Sequence, residues 1–222
     1  MFDDSQQAGL DRQEALALYD RLAPFYGWWT RFTEGRALRL ALRVAGVGGD
    51  ERVLDVGLGT GTNLRAVAMQ LEAGQAVGVD VSPAMLRQAK WILAELTSKR
   101  WSLARADALA LPFASEAFDL AFSSYLLDLL PEEDFPGILR EFRRVLNPQG
   151  RLVLVGMALP RRPWHGVFEA LYRLSPRLMG GCRGVALTPH VREAGFVDVK
   201  RAYVTQMGFP SEVVWARKWL GL

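Results

Sequence analysis

The chain has 222 residues, half of them apolar, with a net charge of +3, two histidines and a single cysteine, Cys182. That is enough apolar material for one core of ordinary size and too little chain for two substantial domains. A lone cysteine excludes an internal disulfide and a thiolate metal cluster, no apolar stretch approaches the length of a membrane span, and MFDDSQQAGLDRQ lacks the basic and apolar parts of a signal peptide, so cytoplasmic residence is the expectation.

In chain order, the first patterned segment is YDRLAPFYGWW, residues 19–29, where helical spacing places Tyr19, Leu22 and Tyr26 on one side and Pro24 interrupts the helix. Next comes VLDVGLGTG. Val53, Leu54 and Val56 form an apolar run too short for a helix and suited to a buried parallel strand; Gly57, Gly59 and Gly61 let the following turn pass close to a ligand with no Cβ in the way. A helix is expected over 62–71, its amino end facing that ligand. AVGVDV is a second strand ending in Asp80, about twenty residues beyond the glycines, where the acid of a βαβ nucleotide unit reaches ribose hydroxyls.

Two details choose between adenosine compounds. A G-x-G-x-x-G dinucleotide fingerprint would have glycine at position 62, which is Thr62, and Asp55 precedes the first glycine, where its charge would repel a pyrophosphate but match a ligand ammonium. A nicotinamide-dependent oxidoreductase is therefore the weaker reading, and an adenosine ligand with a cationic amino-acid end the better one.

Helical spacing recurs at Met85, Ala89, Ile92, Leu93 and Leu96. WSLA then reads as a third strand, leading to ARADALALPF, in which Asp107 can accept from an exocyclic adenine amine. Residues 118–123 supply a fourth strand, and Phe135, Ile138, Leu139, Phe142, Val145 and Leu146 a second amphipathic crossover. NPQG, residues 147–150, is a turn, and RLVLVGMAL, GFVDVKRAYV and SEVVWARKW are strands five to seven.

With these elements in order, the chain resembles the class I S-adenosylmethionine-dependent methyltransferases, most closely the subgroup of quinone-biosynthesis and phospholipid enzymes. The resemblance implies a three-layer α/β Rossmann-like sandwich in one domain, with a seven-stranded, mostly parallel sheet whose last strand lies antiparallel beside the fifth. It implies S-adenosyl-L-methionine as cofactor: Gly57, Gly59, Thr60 and Gly61 along the methionine moiety, whose ammonium is the cation that Asp55 matches by charge, and Asp80 at the ribose. Val81 and Met85 would cover the adenine, Asp107 and Ala108 hold its edge, and Ser124 and Tyr125 close the site. Leu58 departs from the family's usual small residue or cysteine and is expected to point to the helix side of the turn.

Two segments fall outside that sandwich. Residues 1–45 are expected to form an N-terminal helical lid, with Tyr19 or Tyr26 binding the cofactor carboxylate or holding the acceptor near the methyl group. Residues 159–190 are expected to be a helical insertion over the acceptor site. From 161 to 183 the insertion carries five arginines against Glu169, a local excess of four positive charges on a chain whose total is +3. Trp164, Phe168, Leu171 and Leu174 form an apolar stripe on the same stretch, so it suits either contact with an anionic membrane surface or the roof of a pocket.

Methyl transfer needs a general base only for an acceptor protonated at working pH. Tyr26 and Asp128 are the weak candidates, and His165 and His190 are the only imidazoles, His190 being expected to begin the helix of VREAGF. SSYL at positions 123–126 lacks the Asn/Asp-Pro-Pro-aromatic sequence of amino-methylating DNA enzymes, which argues for a small acceptor and against nucleic acid. A lipophilic quinone precursor or a phospholipid amine heads the expectation; a soluble metabolite, or a cofactor-binding regulatory subunit without turnover, is the alternative.

Overall fold

A computed structural model describes residues 35–98, 100–160 and 182–219. These form one mixed sheet with helices on both faces. In chain order the elements are α1 (Gly35–Ala45), β1 (Arg52–Val56), α2 (Thr62–Ala68), β2 (Gln75–Asp80), α3 (Pro83–Ala94), β3 (Trp101–Arg105), β4 (Phe118–Ser124), α4 (Phe135–Val145), β5 (Leu146–Met157), α5 (Leu187–Glu193), β6 (Phe196–Gln206) and β7 (Phe209–Lys218). The sheet order is β3-β2-β1-β4-β5-β7-β6. β7 is antiparallel to both β5 and β6, as expected of the last strand, and the other six strands run the same way.

The central strands are apolar throughout because both their faces are covered: β1 buries Val53, Leu54, Asp55 and Val56 in succession. One core layer joins Ala37, Ala41, Leu64, Val67, Ala89 and Leu93 to the sheet, so α1, α2 and α3 share a face. The other joins Ile138, Leu139, Phe142, Val145 and Val191, so α4 and α5 cover the opposite face. Ala37, Ala41 and Ala45 recur every fourth residue, and these small side chains let α1 lie close to the sheet while Arg36, Arg39 and Arg43 fall on the rest of the helix.

Three expectations are corrected in detail. α2 ends at Ala68, three residues short of Leu71. The NPQG turn is a bulge within β5: pairing with β4 jumps from Phe118–Leu146 to Leu120–Arg151, and the looped-out residues include Gln149 at φ +64°. The helix containing His190 starts at Leu187, and His190 lies within it rather than at its start. The end of the expected lid, Gly35–Ala45, packs on the sheet as α1; the remainder of the lid, with Tyr19 and Tyr26, lies outside the described residues. Among the described residues no helix is long and apolar enough to cross a membrane.

Candidate functional site

The carboxyl ends of β1, β2, β3 and β4 lie side by side in the sheet, which brings Asp55, Asp80, Asp107 and Ser124 to one edge. This is the crevice end of a parallel sheet, where open α/β folds bind ligands. The turn after β1 is stitched to β2 by two backbone bonds, from the N–H groups of Gly57 and Leu58 to the carbonyl of Val79, at 2.9 and 3.1 Å. Gly57, Gly59 and Gly61 have φ of +68°, +53° and +80°, in the left-handed region that glycine enters without a Cβ penalty.

The three glycines serve different ends. A Cβ at Gly61 would come within 2.8 Å of the Ala89 Cβ, so this glycine lets α2 approach α3. At Gly57 it would meet the Leu126 side chain at 3.0–3.2 Å, and at Gly59 it would meet no described residue within 4 Å. Among the described residues Gly59 therefore borders open space, where a ligand can run along bare backbone. Leu58 is buried and lies beneath Gly61 and Gly78, on the helix side of the turn as expected.

Asp80 ties the edge together. Its Oδ2 accepts from the Gly59 N–H and its Oδ1 from the Ser82 N–H, both at 2.9 Å. A carboxylate offers about four acceptor positions, so holding the turn is compatible with receiving ribose hydroxyls as well. Ser82, rather than Asp80, caps α3, accepting from Met85 N at 3.2 Å, with Pro83 pre-set at the first helical position. Asp107 accepts from Leu109 N at 2.9 Å, and Ala106 N donates to the Asp80 carbonyl at 3.2 Å, which joins the β2 and β3 loops.

Asp55 is the electrostatic centre of the edge. It is 1% exposed, and neither carboxylate oxygen has a hydrogen-bond partner among the described residues. Burial, reinforced by the negative charge of Asp80, pushes its pKa up to about 8. A buried, unpartnered carboxyl beside a glycine turn fits a ligand cation, which would restore the ionised form, and does not fit a pyrophosphate. The two acidic acceptors and, among the described residues, the bare backbone at Gly59 thus suit S-adenosylmethionine.

Other candidates are placed less directly at a ligand surface. Val81 is 36% exposed and can face an adenine, whereas Met85 is buried at 1% and supports the edge from below. Ala108 is half-buried in the Asp107 loop, and Thr60 and Thr62 share a hydroxyl hydrogen bond of 3.1 Å. Ser124 accepts from Asn63 Nδ2 at 3.0 Å, which links β4 to the first turn of α2. Tyr125 has φ +53° and is anchored by its N–H to the Val155 carbonyl at 2.7 Å, while its hydroxyl bonds Ser211 Oγ at 2.8 Å and its ring lies near Phe209. The phenol is thus engaged in the core, leaving the backbone of Tyr125 to shape the site.

Asp128 is fully buried. Its Oδ2 accepts from Met157 N at 3.0 Å, its carbonyl accepts from Arg183 N at 3.1 Å, and burial raises its pKa to about 7. These bonds make it a tie between the β4 loop, the end of β5 and residues 182–185, and its sequestration argues against a base for an incoming acceptor. His190 stacks edge-on against Phe135, with Nε2 4.0 Å from Glu132 Oε2, as a packing residue does. Arg183 is paired with Glu132 at 2.9 Å and donates to the Leu130 carbonyl, so one of the five arginines of the basic segment is spent internally. Trp164, His165 and the other four arginines lie outside the described residues, which among themselves hold no group of side chains able to bind a metal.

Asn63 was missed in the sequence. Its only signal is its place one residue after Thr62, in the turn that faces the ligand. The partner, Ser124, is 61 residues away and is reached only through the strand order.

Residues 53–150 match the family model described as methyltransferase domain. A ubiquinone/menaquinone biosynthesis C-methyltransferase of Syntrophotalea carbinolica is 34% identical over 171 residues, covering 74% of this chain and 69% of that protein. A 2-phytyl-1,4-naphtoquinone methyltransferase of Synechococcus elongatus is 33% identical, covering 70% and 68%. Among solved structures, a phosphoethanolamine N-methyltransferase of Haemonchus contortus in complex with S-adenosyl-L-methionine superposes with a TM-score of 0.66 at 17% identity, covering 83% of this chain and 52% of that one; this likeness is one of fold.

Proposed function

Because the chain belongs to the S-adenosylmethionine-dependent methyltransferases, we propose that it methylates a small lipophilic acceptor, with a quinone precursor the first choice. The observation that supports the acceptor class is the similarity, over two thirds of their length, to two enzymes named for quinones. The cofactor brings an electrophilic methyl group on a sulfonium, which an acceptor nucleophile attacks in line. The chain's residues bind and orient. In this reading Asp80 fixes the ribose, Asp107, Ala108 and Val81 hold the adenine, and Gly57 to Gly61 pass the methionine moiety along open backbone toward Asp55.

Holding two reactants at near-attack distance in a water-poor cleft supplies most of the rate, about 7–11 kcal/mol in well-oriented systems, without covalent participation by the protein. The proton that a ring carbon loses once it has gained the methyl group is acidic enough to pass to water, so the reaction does not require Asp128, which is buried, as a base. Residues 161–183, basic and apolar together, would then serve the acceptor side, either as a pocket roof or by resting on the membrane where such acceptors reside.

Incubation with methyl-labelled S-adenosylmethionine and a cell extract, followed by solvent partition, tests this reading. The label should enter the organic phase in a quinone-like product. A product confined to the aqueous phase would select a soluble metabolite instead, and no labelled product would favour a non-catalytic cofactor-binding subunit.

A further inference from the structure

α4 and α5 pack side by side on the sheet face opposite α2 and α3, and between them opens a cleft of about 640 Å³, within the usual range for a small-molecule site. Its position sets it apart from the cofactor edge. Ser115 and Glu116 precede β4, Arg143 and Arg144 close the C-terminal turn of α4, and Lys218 ends the antiparallel β7. All of these lie at the amino ends of the parallel strands, whereas the glycine turn and its acids lie at the carboxyl ends.

The walls are cationic and the floor is mixed. Two of the cations are spent within the fold. Arg144 donates to Glu141 and to the carbonyls of Leu111 and Phe113, and Lys218 donates to the Leu146 carbonyl at 2.7 Å and lies 3.3 Å from Glu116. Arg140 and Arg143 are not spent: neither has an ion pair or hydrogen bond to any described residue. The Nε of Arg143 is buried without an acceptor. That nitrogen is packed toward Gly195 and closed off from the cleft, so a bound anion is met by the terminal nitrogens of the guanidinium. Pro136 and Ala194 give the same cleft an apolar stretch, and Glu116 and Glu193 are the acids of its lining.

From this arrangement we infer a second ligand site, distinct from the cofactor edge: the cleft between α4 and α5 takes a small organic phosphate, its anion held by Arg140 and Arg143 and its apolar body lying on Pro136 and Ala194. Planar guanidinium groups at i and i+3 on one helix suit the several acceptor oxygens of a phosphate monoester. The paired Arg144 and Lys218 keep the surrounding wall rigid, so that little side-chain ordering remains to oppose binding.

Titration of the full-length protein with phenyl phosphate, by calorimetry and by phosphorus NMR at low salt, tests the inference. The unmodified protein should show saturable binding that R140Q/R143Q weakens at least tenfold, while S-adenosylhomocysteine binds both proteins equally and so reports an intact fold. R87Q, which removes a cation from α3 on the other face, should leave phenyl phosphate binding unchanged. The inference is overturned if the unmodified protein shows no saturation, if R140Q/R143Q binds as well as the unmodified protein, or if R87Q weakens binding equally, which would mean general charge attraction.

Discussion

The carboxylate of Asp80 accepts the backbone N–H of Gly59 across 2.9 Å, so the acid at the end of β2 holds in shape the glycine turn that ends β1. In the proposed reading one residue therefore serves both the ligand and the loop that receives it. Ser82 N donates to its other oxygen, which extends the same control to the start of α3.

Replacing Asp80 by Ala should weaken S-adenosylhomocysteine binding by roughly 1–3 kcal/mol, because ribose hydroxyls and the Gly59 N–H both lose an acceptor. Asp80→Asn, which keeps one acceptor oxygen, should lose less. Calorimetric titration of both variants measures this; unchanged affinity in Asp80→Ala would displace the ribose from this strand end.

Gly57→Val combines two faults. The backbone at φ +68° disfavours a branched residue, and the new side chain meets Leu126 at 3.0–3.2 Å. Cofactor binding should be lost and unfolding by denaturant should occur earlier. Gly59→Ala, whose Cβ enters open space, should cost only about 1 kcal/mol of backbone strain in the free protein while still impairing binding. A folded Gly57→Val protein that bound normally would reduce the turn to a structural connection.

Much of this edge is legible in the sequence because its parts are local: VLDVGLGTG specifies strand, turn and helix start within ten residues, and Asp80 follows at the βαβ spacing. What escapes is non-local. Nothing near Tyr125 in the chain signals that its hydroxyl meets Ser211, 86 residues on, or that Asp128 is tied to Met157 and sequestered from any substrate. A count of charges likewise treats Arg183 as available, although the fold pairs it with Glu132. The β7 orientation was accessible only through resemblance, since strand direction leaves no trace in an apolar run.

Asp55 should make stability fall as pH rises. Its folded pKa, about 8, exceeds the ordinary value of 3.8, so the folded state holds the proton more tightly, and stability declines between about pH 4 and pH 8 before levelling. Asp128, raised to about 7, acts in the same direction. Asp55→Asn should flatten this decline and be the more stable protein at pH 8, by roughly 2–5 kcal/mol in urea unfolding. If the ligand ammonium pairs with Asp55, binding at pH 7 should release a proton from the unmodified protein and none from Asp55→Asn, measurable by calorimetry in buffers of different ionisation enthalpy.

The basic segment yields a prediction of its own. Each arginine near an anionic surface contributes about 1 kcal/mol, so replacing Arg161, Arg162, Arg173 and Arg177 by Gln should sharply reduce sedimentation with anionic vesicles while leaving cofactor affinity unchanged. Added salt should mimic the substitutions by screening. An unmodified protein that fails to sediment at low salt would leave Trp164, Phe168 and Leu171 as the roof of a pocket.

The most direct test of the assembled edge is a crystal structure with S-adenosylhomocysteine bound. The ribose hydroxyls should lie within hydrogen-bond distance of Asp80, the adenine amine beside Asp107 with the ring against Val81, and the amino-acid end over Gly57 to Gly61 on the side of Asp55. A ligand bound away from the carboxyl ends of β1 to β4, or with its ribose remote from Asp80, would contradict the account.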